Sequence, residues 1–138
     1  MERTRFIDHA GFRIVEMDFS RIDNIPDALA AIEAARRFVA AQPLRPKLFT
    51  MVLVEGSAFD NAVIDALRRL SEHDRPWVAA GAVIGMSALH KVVYRVINAF
   101  TGRRLAAFDT AEEGKAWLLE QRLKLAGTPE DDASASAG

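Results

Sequence analysis

Hydrophobic and polar positions switch between two periods along this chain, and the switches mark its elements. Met51 to Val54 is an unbroken apolar run, too short for a helix and rich in β-formers. It predicts a strand buried on both faces, and therefore the middle of a sheet. Upstream, Arg3–His9 and Phe12–Asp18 show partial alternation about Ala10-Gly11, which predicts a hairpin with a tight turn. After a polar loop over Phe19–Ile25, Pro26 supplies the fixed φ of a first helical turn and Asp27 an anion at its positive end. Leu29, Ile32, Ala35 (or Arg36), Phe38 and Val39 then keep helical spacing up to Pro43.

Downstream of the central run, Val63, Ile64, Leu67 and Leu70 form one face of an amphipathic helix ending near His73 and Asp74. Arg75-Pro76 opens a second near-continuous apolar run, Trp77 to Ile84, which reads as a buried parallel strand. Gly85 and Ser87 mark a turn. Leu89, Val92, Val93, Val96, Ile97 and Phe100 predict a third helix, closed by Thr101-Gly102. Arg104–Phe108 predicts another strand, and Thr110-Ala-Glu-Glu113 has the spacing of a capping box opening a last helix through Trp117 and Leu118.

A hairpin followed by alternating helices and strands predicts an α/β fold: a single domain with a mixed, mostly parallel sheet of about five strands and about four helices packed on it. Residues 1–125 form this domain. Residues 126–138, with one Pro, three acids and alternating Ser and Ala, hold too few apolar groups to offset their ordering entropy and are expected to be disordered. Of the 138 residues, 50% are hydrophobic and 27% charged, enough to bury roughly two thirds of the unfolded surface. The absence of cysteine excludes disulfides, thiolate catalysis and Cys-ligated zinc, and suits a reducing compartment. Met1–His9 carries no apolar stretch of signal-peptide length, and the longest apolar run, Trp77–Leu89, is interrupted by Gly81 and Gly85 and too short for a bilayer. A cytoplasmic protein without a transmembrane segment is expected.

The order of elements carries four recognisable stretches: D-F-S at Asp18, V-E-G-S-A-F-D from Val54 to Asp60, R-P-W-V-A-A-G-A-V-I-G from Arg75 to Gly85, and F-T-G-R-R-L-A-A-F-D-T-A-E-E-G-K-A-W-L from Phe100 to Leu118. Together they resemble the STAS superfamily and, more narrowly, the SpoIIAA-like (STAS/SEC14-type) bacterial proteins, over about residues 5–122. In anti-sigma-factor antagonists of that superfamily, the loop after the central strand carries a serine at the start of the next helix, which a partner kinase phosphorylates to break a complex. The resemblance puts Ser57 in that role, within a loop formed by Glu55, Gly56 and Asp60. The turn here reads Glu55-Gly56-Ser57-Ala58 where the antagonists carry an Asp-Ser-Ser-Gly-like sequence. Spacing alone offers a second reading: Ser57-Ala-Phe-Asp60 fits a capping box, with Ser57 satisfying a helix N–H group.

Charge is uneven despite a formal net charge of −1. From Gly81 to Ala107 there is no acid, while Lys91, Arg95, Arg103 and Arg104 are basic. Beside the ordinary reading of a solvated helix face, this stretch, with Tyr94 between Lys91 and Arg95, suits an acidic protein partner or anionic lipid headgroups, and as a small patch without interleaved exposed aromatics it does not suit nucleic acid. The broad apolar face of the helix over 89–100 suits core, a homodimer seam, or the lid over a lipid, in that order. No catalytic constellation accompanies these features. His9, His73 and His90 lack metal-ligand spacing, and there is no nucleophile elbow, phosphate loop or dinucleotide fingerprint. Asp18, Glu55 and Asp60 could converge at one sheet edge, although acids at strand ends more commonly solvate loops or cap helices. The sequence therefore points to a non-enzymatic binding or regulatory module acting through protein–protein interaction, with no cofactor or metal and with a kinase or regulator as partner. The rival is a carrier of a small apolar or lipid ligand under the helix over 89–100.

Overall fold

The two-residue loop Ala10-Gly11 has both φ angles positive, +48° and +83°, the twist that lets a two-residue turn join antiparallel strands. It joins β1 (Thr4–His9) to β2 (Phe12–Asp18) in the computed structural model, which describes residues 2–58, 60–86 and 105–126. The chain continues through α1 (Ile25–Ala40), β3 (Leu48–Leu53), α2 (Asn61–Asp74), β4 (Val78–Ile84), β5 (Leu105–Phe108) and α3 (Ala111–Ala126). One five-stranded sheet has the order β1-β2-β3-β4-β5. Only the β1–β2 pair is antiparallel; β2 to β5 are parallel, with Val15 opposite Thr50, Met51 opposite Ala82 and Gly81 opposite Leu105. The Met51–Val54 run thus lies in the central strand and its exit, beside the second apolar run in β4.

Alternation along the strands divides the interior into two cores. Val15, Met17 and Val52 meet α1 and α2 through Ala28, Ile32, Ala35, Val63 and Leu70. Phe12, Ile14, Met51, Ala82 and Ile84 face the other way, onto Leu118 and Trp117 of α3. Adjacent Thr50 and Met51 are both buried, so β3 is covered on both faces. Gly114 lets α3 approach β4: a Cβ there would stand 2.5 Å from Ile84 Cδ1.

Local chemistry sets the helix ends. Asn24 caps α1, its side chain accepting from the Asp27 N–H at 2.9 Å, with Pro26 in the first turn. The helix stops at Ala40, where the Ala41 N–H donates to the Arg37 carbonyl, three residues before Pro43. Thr110 and Glu113 form the expected capping box, the Thr110 N–H donating to Glu113 Oε1 and the Glu113 N–H to Thr110 Oγ1, both at 3.2 Å. The last helix includes Ala126, the first residue assigned to the tail. The helix expected over 89–100, together with Lys91, Arg95, Arg103 and Arg104 and residues 127–138, lies outside the described residues. Three helices are present among those described, and none of them is long and apolar enough to cross a membrane.

Candidate functional site

Because β2, β3, β4 and β5 are parallel, their carboxyl ends share one edge of the sheet, where open α/β sheets hold ligands and partners. That edge carries a cleft of about 600 Å³, lined by Arg3, Asp18 and Arg21 on one side and by Glu55, Ile84 and Asp109 on the other, with Leu53 among its apolar groups. The exits are stitched together by main-chain bonds that extend the ladders beyond the strands. The Phe19 N–H donates to the Leu53 carbonyl at 2.8 Å, Val54 N–H to Ile84 carbonyl at 3.1 Å, and Gly85 N–H to Phe108 carbonyl at 3.0 Å.

The β2–α1 turn is fixed from several directions. Asp18 Oδ1 accepts from the Ser20 N–H at 3.0 Å and from the Ser20 hydroxyl. Arg3 Nη1 donates to the carbonyls of Asp18 and Ser20 at 3.0 and 3.2 Å. Arg21 stands at φ +56°, a left-handed conformation that costs a non-glycine residue about 1 kcal/mol and needs such support. Its N–H donates to the Glu55 carbonyl at 2.9 Å, joining this turn to the β3–α2 loop. Arg21, Glu55 and Asp109 make no ion pair among the described residues, which leaves charges of both signs available around one cleft.

Ser57 makes a second joint between the same loops. Its hydroxyl donates to the Phe19 carbonyl, and the neighbouring Ala58 N–H donates to the Ile22 carbonyl at 2.6 Å. Ser57 is half-buried and does not line the cleft.

This arrangement corrects the capping reading. The N-cap of α2 is Asp60, whose Oδ1 accepts from the Val63 N–H at 2.9 Å, and the helix begins at Asn61. The sequence from Ser57 to Asp60 has the right spacing for a cap, but Gly56 turns the chain at φ +70° and the bonds to Phe19 and Ile22 hold Ser57 and Ala58 against the β2–α1 turn. The helix starts only after that tether. Of the three acids that could converge, Asp18 and Glu55 line the cleft, and Asp60 takes the commoner role of a helix cap.

Four charged cleft residues escape a sequence reading: Glu2, Arg3, Arg21 and Asp109. The spacing Asp18-x-Ser20 is a visible Asx-turn signal for the turn that presents Arg21; Arg3 and Asp109 arrive through strand pairing and carry no local signature. Among the described residues, no group of three or more His, Asp or Glu could hold a metal ion.

No family model and no curated protein matches the chain. Among solved structures it is similar to an uncharacterized protein of the DUF3478 family with a SpoIIAA-like fold from Shewanella loihica PV-4. The two share 13% sequence identity at a TM-score of 0.61, over 83% of this chain and 91% of that one. The five-stranded sheet, its antiparallel first pair and its three helices among the described residues therefore amount to a SpoIIAA-like fold.

Proposed function

We propose that this protein is a non-enzymatic regulatory module that binds another protein at the exit edge of its sheet, with Ser57 as the point of control. The observation that supports this reading is the seam at Ser57, where its hydroxyl meets the Phe19 carbonyl beside the Ala58 N–H to Ile22 carbonyl bond at 2.6 Å, because it couples the two loops that supply Asp18, Arg21 and Glu55 to the cleft. A phosphate on Ser57 removes the donor hydrogen and adds about two negative charges. A phosphoryl oxygen cannot donate to the Phe19 carbonyl, so the tether opens. Exposed Glu55 lies two residues away in sequence and adds repulsion. One covalent change would thereby reset both walls of the docking surface. The partner is a kinase or a regulator whose contact surface complements a cleft of mixed charge.

Intact-mass measurement of the natively expressed protein tests the proposal. The expected result is a population heavier by one phosphate, mapped to Ser57 by fragmentation and missing from Ser57→Ala. A protein of unmodified mass throughout, or a phosphate retained in Ser57→Ala, would overturn it. A co-purifying lipid would favour a carrier instead.

A further inference from the structure

The edge of the sheet opposite the cleft has a different character. There the α1–β3 loop, Ala41–Lys47, meets the α2–β4 turn around Arg75-Pro76. Lys47 Nζ donates to the Pro76 carbonyl at 3.0 Å, the Leu48 N–H to the Trp77 carbonyl at 2.7 Å, and Trp77 Nε1 to the Gln42 carbonyl at 2.9 Å. These contacts join both segments into one surface. Leu44 at its tip is 51% exposed, one of two large hydrophobic side chains so exposed among the described residues. Pro43, Pro46 and Pro76 are exposed around it.

Arg45 and Arg75 are exposed on the same surface, and neither has an ion-pair partner among the described residues. There is no acidic residue from Ala34 to Val54 or from Arg75 to Phe108. The nearest carboxylates are engaged: Asp74 is buried and meets His73 Nδ1 at 2.8 Å, Glu72 bonds Arg68, and Glu33 bonds Arg36. Trp77 is half-buried, stacked on His73 at 5.0 Å, with its indole N–H satisfied. The C-terminal ends of α1 and α2 favour nearby cations. That accounts for the charge but not for an exposed Leu set among it.

We propose that this edge docks on an anionic lipid bilayer. Leu44 and the flanking prolines enter the headgroup boundary, Arg45 and Arg75 meet lipid phosphates, and the half-buried Trp77 lies at the interface. A nucleic-acid backbone would use the charges and gain nothing from Leu44; a bilayer uses both. The contact is weak and reversible, as one exposed Leu and two arginines on two short segments imply. Docked this way, the protein turns its exit-edge cleft away from the bilayer, free to meet a soluble partner. The proposal does not rest on the role of Ser57 and can fail separately from it.

The test is co-sedimentation of the full chain with vesicles of phosphatidylcholine alone and of phosphatidylcholine mixed with phosphatidylglycerol, about one third anionic. Binding is expected to the mixed vesicles only, and to fall steeply as salt rises to about 0.5 M. Arg45→Gln and Arg75→Gln each lower the partition coefficient about fivefold. Leu44→Ser lowers it at every salt concentration. All three positions are exposed, so unchanged melting temperatures confirm that the variants fold. Absence of binding to mixed vesicles, equal binding to neutral ones, or insensitivity to all three substitutions would overturn the proposal. So would retention on heparin or polyglutamate without vesicle binding.

Discussion

Gly85 closes β4 at φ +83°, and an added Cβ would lie 2.8 Å from Glu55 Cβ and 3.4 Å from the Glu55 Cα and N atoms. Gly11 has the same φ, +83°, with nothing within 4 Å of its would-be Cβ. The pair separates two costs. Gly11→Ala meets only the left-handed backbone penalty, about 1 kcal/mol. Gly85→Ala meets that penalty and a collision with a Cβ fixed to the main chain, which no rotamer change can relieve. Overpacking of this kind adds about 1–3 kcal/mol, so the expected total is about 2–4 kcal/mol.

Urea unfolding gives both values from the shift in midpoint at constant slope. Removing the obstructing atom supplies a further check: in the Gly85→Ala background, Glu55→Gly should recover part of the loss, visible as a coupling energy in a double-mutant cycle. If Gly85→Ala costs no more than Gly11→Ala, or the two substitutions are additive, then the β3 and β4 exits are not packed as described. The cleft would lose the wall that Glu55 and Ile84 form together.

Two further predictions concern the helices. Asp60→Ala should lower stability by about 1 kcal/mol and Asp60→Ser by much less, because Asp60 caps α2; urea unfolding of both variants decides it, and equal losses would contradict the cap. The side-chain hydrogen bond from Arg36 holds the Glu33 carboxyl below its ordinary 4.5, and that from Arg68 holds Asp65 below 3.8. A lowered folded pKa gives stability that is complete above the unfolded value and is lost as pH falls through the folded one. The wild type should therefore lose urea resistance below about pH 4.5, and Glu33→Gln with Asp65→Asn should flatten that part of the profile.

Local signals in this chain were legible wherever neighbours in sequence settle the conformation. Ala10-Gly11 marks the hairpin, Pro26 with Asp27 marks the start of α1, and Thr110 with Glu113 marks the start of α3. The apolar runs identify β3 and β4 as covered strands because burial on both faces erases alternation. The start of α2 was not legible, since Ser57 and Asp60 are both good capping residues and the choice is made by carbonyls of Phe19 and Ile22, far away in sequence. Strand direction alone places Asp18, Glu55 and Asp109 at one edge, while Arg3 and Arg21 cannot be placed that way. Their positions follow from which strands pair and how the turn after β2 is tied down.

Ser57 joins the two loops at the exit edge, and amide hydrogen exchange measures that joint directly. Loss of the hydroxyl in Ser57→Ala should accelerate exchange of the Phe19, Arg21 and Ala58 amides together, while those of β4 from Val78 to Ile84 keep their wild-type rates. Exchange that quickens only within Gly56–Ala58, leaving Phe19 and Arg21 untouched, would contradict it.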